Sequence, residues 1–183
     1  MRIVAGTYRS RVIQAVEGNS TRPTQAKIKE AIFSRIGPYF DGGVMLDLFA
    51  GSGQIGLEAV SRGAACAVFV EQEKKACACI EENIRFTKSG GETKLFRSDV
   101  VGAIRAMSGA YRFDVVFLDP PYGQGLEQEA LRALAASTLL ADEALLILET
   151  SLNADLSWAE ETGYEVCRVK KYKTNEHVFM RKK

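Results

Sequence analysis

The sequence predicts an α/β fold: a mostly parallel β-sheet with helices on both faces and an antiparallel hairpin at one edge. Three observations predict it. Short apolar runs alternate with segments of helical periodicity from residue 44 to about residue 149. A glycine turn, Gly51-x-Gly53-x-x-Gly56, joins the first of those runs to the first helical segment. The last two strand-like segments are separated only by a turn around Thr174-Asn175, too short for a parallel crossover, so they must pair antiparallel.

Residues 1–40 read as a small element of their own. "RIVAGTYR" and "RVIQAV" can pair as a β-hairpin across the Ser10 region. "TRPT" then leads into "QAKIKEAIFSRI", where Ile28, Ala31, Ile32 and Ile36 share one helix face. Pro23 keeps the preceding backbone extended, Thr24 caps the helix, and Gly37-Pro38 ends it. Residues 41–183 form the main domain. Its strands are expected at 44–49, 66–71, 93–99, 113–119 and 143–149, and its closing pair at 164–173 and 176–182. Helices are expected from the glycine turn to about Arg62, over 72–86 with Ala76, Cys79, Ile80 and Ile84 inward, and at 100–108 and 126–137.

Composition narrows the classes. The chain has 183 residues, 46% hydrophobic and 26% charged, which suits a soluble domain with a full core. No apolar run is long enough to span a bilayer, and the N-terminus lacks a signal-peptide pattern, so a cytoplasmic protein is expected. The four cysteines (Cys66, Cys77, Cys79, Cys167) fit neither a zinc module nor a CxxC redox pair, and no metal is expected. His177 is the only histidine, and no GxSxG elbow supports a Ser-His-Asp triad.

The net charge of +1 conceals an asymmetry. Residues 1–40 carry a balance of +5 and residues 168–183 a balance of +6, which leaves −10 for the segment between them. Basic ends on an acidic body suit a polyanion held at the ends and a different ligand in the middle.

The glycine turn fits two kinds of nucleotide cofactor, and charge separates them. A pyrophosphate needs bare helix N-terminal amides and no close anion. Here Asp47 precedes the turn by four residues, near the strand end where such ligands lie. S-adenosylmethionine has no phosphate and carries an ammonium and a sulfonium, both suited by acidic neighbours. Glu71 ends the second strand and can take the ribose hydroxyls; Asp99 ends the third and can accept from the adenine amino group. Either could equally be a helix cap. Yet four successive strands ending on an acid (Asp47, Glu71, Asp99, Asp119) would bring those acids to one crevice.

The fourth strand runs into Asp119-Pro120-Pro121-Tyr122. An exocyclic amine of a nucleobase is a poor nucleophile because its lone pair is delocalised into the ring. Acceptors around the amine localise that pair, and the Asp119 carboxylate and Pro120 carbonyl are such acceptors. The two prolines fix the backbone that aims them. Tyr122 offers a ring for base stacking, worth about 1–3 kcal/mol, on a base that is flipped out or unpaired.

These motifs carry a resemblance. "DPPY" resembles the amino-methylation motif of class I, Rossmann-like methyltransferases that use S-adenosylmethionine. With "MRIVAGTYRSR", "TRPT", "LDLFAGSGQIGLEAVSRGA", "VFVE" and "KKYKTNEHVFMRK", nearly the full length is similar to the bacterial 16S ribosomal RNA guanine-N2 methyltransferases, the RsmD family. The resemblance implies a seven-stranded, mostly parallel sheet with an antiparallel last strand, preceded by a β-hairpin and helix that contact RNA. It implies cofactor contacts from Asp47, Phe49, Ala50, Gly51, Gly53, Glu71, Asp99 and Asp119. Catalysis would fall to Asp119, Pro120, Pro121 and Tyr122, and substrate binding to Arg22 and Tyr122. The implied partner is 16S rRNA, within an assembling 30S subunit or free, and the implied state is a monomer. One departure is visible: a Tyr-Gly pair is usual in the last hairpin, and here Lys173 follows Tyr172.

Three competing readings are weaker. A DNA adenine-N6 methyltransferase shares "DPPY" but would carry a target-recognition insertion for which 183 residues leave no room. An NAD-dependent oxidoreductase rests on GxGxxG alone and lacks a second nucleotide-binding half. A binding module without catalysis would have no reason to keep "DPPY" intact.

Overall fold

β1 (Val44–Leu48) is the sheet's central strand, and four of its five residues are buried because helices cover both faces. In the computed structural model, which describes residues 1–16, 29, 30, 32–34 and 40–183, it is followed in turn by α1 (Gln54–Ser61), β2 (Cys66–Glu71), α2 (Lys74–Thr87) and β3 (Thr93–Arg97). Next come α3 (Val100–Met107), β4 (Phe113–Leu118), α4 (Leu126–Ala135) and β5 (Leu140–Ser151). A short α5 (Trp158–Glu161), which periodicity did not predict, precedes the closing hairpin of β6 (Tyr164–Lys171) and β7 (Asn175–Lys182). β5 is longer at both ends than expected, because its extensions pair with the neighbouring strands.

The seven strands lie in the order β3-β2-β1-β4-β5-β7-β6. β7 pairs antiparallel with both β5 and β6, and every other pairing is parallel. This is the expected seven-stranded sheet with an antiparallel last strand. The order reverses beside β1, so the crevice above the carboxyl ends of β1 and β4 is where ligands bind in open sheets of this type. One face of the sheet packs Leu46, Leu48, Val116, Leu118, Leu146 and Leu148 against α3 and α4. The other packs Met45, Val115, Phe117 and Ile147 against Ile32, Phe33, Ile55 and Ala59.

The N-terminal segment folds back on itself as expected. Arg2 and Val12 form an antiparallel bridge, extended by Ile3 N–H to Arg11 O (3.0 Å) and Ile13 N–H to Met1 O (2.8 Å), with Ser10 in the left-handed region. Ile3 and Ile13 are buried with Leu57, Val60 and Phe69. A buried carboxylate holds the segment to α1: Glu58, with no exposure, accepts from Val4 N (2.9 Å), Ala5 N (3.0 Å) and Arg62 Nε (2.9 Å). Lys29 Nζ adds an ion pair to it at 3.6 Å. Ser61 Oγ donates to Ala5 O (2.6 Å) and accepts from Tyr8 N (2.8 Å). Gly6 lies so close to the Ser61 carbonyl that a Cβ there would sit 1.6 Å from its oxygen. "SRGA" is thus the seat for "VAGTYR". Lys29, Glu30 and Ile32–Ser34 are helical, whereas Pro23, Thr24, Gly37 and Pro38 lie outside the described residues.

Candidate active site

A cavity of about 970 Å³ opens at the carboxyl ends of the strands, at the switch point. Its lining includes Phe49, Ala50, Gly51, Glu71, Asp99 and the whole of Asp119–Tyr122, so most residues singled out from sequence meet in one place. Among the described lining residues six are acidic (Glu71, Glu73, Asp99, Asp119, Glu129, Glu149) and none is Lys or Arg. Such a cavity attracts a cation and opposes a phosphate.

The glycine turn forms its floor. Phe49, Gly51 and Gly53 all adopt positive φ (60°, 57° and 74°), conformations that cost a Phe far more than a Gly. A bulky residue held there marks a backbone fixed by its surroundings. Gly56 serves a different end: a Cβ on it would lie 2.3 Å from Cε1 of the buried Phe69 ring, so its hydrogen lets α1 settle on β2. Asp47 and Gly53 do not line the cavity. Asp47 is 2% exposed and sits beneath the turn, accepting from Gly56 N at 2.9 Å. Burial pushes its carboxyl up to about 8, opposed by that hydrogen bond and helped by the nearby charge of Glu71.

Glu71 and Asp99 have structural partners as well as cavity faces. The Glu71 carboxylate accepts from three backbone amides: Gly51 N (2.9 Å), Gln72 N (2.8 Å) and Glu73 N (2.9 Å). Asp99 caps α3 through Gly102 N (2.8 Å), the role its type favours before a helix. Its side chain is exposed toward the cavity. Glu73 caps α2, accepting from Lys75 N and Ala76 N.

Asp119 follows β4 into the cavity. Burial, then the charges of Glu149 and Asp47, hold its carboxyl well above the usual range. Pro120 is buried behind it, and Pro121 and Tyr122 project outward, Tyr122 being 47% exposed. The Tyr122 hydroxyl points at Glu149 Oε1 across 3.4 Å, too long for a firm hydrogen bond.

Glu149 was not singled out from sequence, although its strand also ends on an acid. Leu118 pairs with Leu148 across β4 and β5, so Asp119 and Glu149 come side by side. β7 holds Glu149 in place: Asn175 Nδ2 donates to Oε1 (2.6 Å) and His177 Nε2 lies 3.0 Å from Oε2. Only tertiary pairing brings 119, 149 and 175–177 together. The turn before β7 needs no glycine, since Lys173 is not among the positive-φ residues. Arg22 lies outside the described residues.

Comparison with known proteins agrees with this arrangement. The family described as conserved hypothetical protein 95 matches residues 1–181. Bacillus subtilis YlbH, provisionally named an rRNA methyltransferase, is 38% identical over 85% of either chain. Ribosomal RNA small subunit methyltransferase D of Escherichia coli K12 is 33% identical over 85% of this chain and 77% of its own. A solved structure of a conserved hypothetical protein from Streptococcus pyogenes superposes with a TM-score of 0.77 at 39% identity, over 85% of this chain and 95% of the other. With the motifs, the sheet order and these relatives in agreement, the chain belongs to the conserved hypothetical protein 95 family, the RsmD family.

Proposed function

We propose that this protein transfers a methyl group from S-adenosylmethionine to the exocyclic N2 amino group of a guanine in small-subunit ribosomal RNA. Family membership supports an rRNA methyltransferase; the nucleophile and the donor are argued from the site. The observation that carries the reading is a cavity rich in carboxylates, with no Lys or Arg among its described lining residues, that ends on Asp119-Pro120-Pro121-Tyr122.

The residues present fit the cofactor. Its size is within what 970 Å³ accommodates, and its cationic groups suit the acidic lining. The turn is unsuited to a pyrophosphate, because carboxylates already take its amides, Glu71 at Gly51 N and Asp47 at Gly56 N. Glu71 and Asp99 would hold the nucleoside, each with oxygen capacity left after its backbone bonds. Phe49, Ala50, Gly51 and Gly53 would shape the floor. Asp47 would act from below by setting the turn. Bound there, the cofactor supplies an electrophilic methyl group.

Asp119 and the Pro120 carbonyl would accept from the target amine and orient its lone pair. The raised proton affinity of Asp119 would give its ionised form a second role: as the nitrogen gains the methyl group given up by the donor's sulfonium, this carboxylate would take the N–H proton. Tyr122 would stack on the base. Residues 1–40, Arg22 included, would contact RNA ahead of a methyltransferase domain over 41–183, and the basic closing hairpin would add phosphate contacts.

The test is methyl transfer to 16S rRNA and 30S subunits from a strain lacking the protein, with duplex DNA alongside, read by mass analysis of nucleosides. N2-methylguanosine in 16S rRNA is expected. Methylation confined to adenine in DNA would overturn the reading.

A further inference from the structure

Glu149 is 13% exposed, lines the cavity beside Asp119, and is held from behind by Asn175 Nδ2 (2.6 Å) and His177 Nε2 (3.0 Å). A carboxylate accepts about four hydrogen bonds. Two positions are taken by firm donors on β7, and a third by the Tyr122 hydroxyl at a loose 3.4 Å. The free capacity therefore faces the cavity, where Tyr122 can yield its place. No glycosidic or acyl chemistry is needed to explain a carboxylate clamped this way. What it can do is receive an N–H donor from a ligand in the cavity, beside a second donor received by Asp119.

We propose that Glu149 is the residue that selects the purine: its carboxylate accepts from the guanine N1–H, next to the N2 amine that Asp119 receives. The inference rests on the function proposed above and deepens it. Guanine presents two adjacent donors, N1–H and N2–H₂, whereas the matching edge of adenine pairs a donor with an unprotonated N1. An anionic Glu149 repels that N1 lone pair. His177 is a positioning residue that touches Glu149 from the core, and Asn175, which also lines the cavity, holds the same carboxylate. His177 is fully buried, its ring edge-to-face with Phe117 and Tyr172 at centroid distances of 6.2 and 4.9 Å, so the clamp is set in the core and not in a loop.

The experiment compares guanine with 2-aminopurine at the methylated position of 16S rRNA, built by splinted ligation and presented free and in reconstituted 30S subunits. 2-Aminopurine keeps the reacting amine and replaces N1–H by an acceptor. The wild-type enzyme should favour guanine in kcat/KM by roughly ten- to a hundredfold, the usual worth of a buried directional contact. Glu149→Gln, whose amide offers one acceptor and one donor, should bring the two bases within about threefold, while S-adenosylhomocysteine affinity and thermal unfolding hold near wild-type values. Equal wild-type rates on both bases would overturn the inference without any variant, and so would Glu149→Gln keeping the wild-type ratio. Failure of the wild-type enzyme to methylate guanine at all would instead overturn the proposed function, and this inference with it.

Discussion

At the scale of single residues, the site is a set of acids with different work. Asp119 reaches into the cavity, and Asp47 stays beneath the turn. Asp119→Ala should abolish turnover while leaving S-adenosylhomocysteine binding within about tenfold, because the contacts proposed for it develop in the transition state. Single-turnover rates beside calorimetric affinities check this; near-native rates would remove Asp119 from the mechanism. Tyr122→Phe should be mild, since the hydroxyl approaches Glu149 only loosely at 3.4 Å, whereas Tyr122→Ala should be severe through loss of a stacking surface worth about 1–3 kcal/mol. "DPPY" made Asp119 and Tyr122 legible from sequence. Glu149 was not, because an acid at the end of "ALLILE" gains meaning only from the β7 donors opposite it.

At the scale of elements, the packing of α1 on β2 decides the shape of the turn. Gly56 meets Phe69 with no room for a methyl group, and the ring is fully buried. Gly56→Ala should destabilise the fold by about 1–3 kcal/mol, as overpacking does, and weaken cofactor binding by tilting the helix. Urea unfolding with unchanged slope reads the first effect and titration with S-adenosylhomocysteine the second. An unchanged midpoint would mean that α1 can shift without cost. The same helix is buried along its whole length, an arrangement its own periodicity does not announce. Glu58 and Ser61 look like ordinary solvent-face residues in "GLEAVS", yet both are covered by residues 4–8. A buried Lys29–Glu58–Arg62 cluster takes the place of an exposed helix face, and burial correspondingly lowers the Lys29 ammonium's proton affinity.

For the whole molecule, acids gathered in one cavity link folding, ligand and pH. Asp47 titrates at about 8 in the folded protein against about 3.9 unfolded, and Asp119 is raised in the same direction. The folded state therefore binds more protons between these values, so the stability of the free protein should fall as pH rises from about 4 to 8. A bound cation favours the ionised carboxyls, so affinity for S-adenosylmethionine should rise over the upper part of that window, with protons released on binding. Calorimetry in buffers of different ionisation heat measures the release. It should be smaller with S-adenosylhomocysteine, which lacks the sulfonium charge, and smaller again in Asp47→Asn; equal release with both ligands would contradict the coupling.

Sequence alone determined the order of the strands and of the helices other than α5, the antiparallel closing hairpin, the glycine turn and the "DPPY" corner. Each of these is written in local periodicity, turn chemistry or a contiguous motif. Tertiary structure decided which acids face the cavity and which lie beneath it. Asp47 lies one residue before the end of β1 and Asp119 one residue past the end of β4, yet one is sealed under Gly56 and the other opens on the cavity. It also decided that Glu149, Asn175 and His177 act together, since 26 to 28 residues separate them along the chain and one antiparallel register joins them. The physical reason is that solvation and hydrogen-bond partners, which set what a carboxylate can do, come from whatever packs against it.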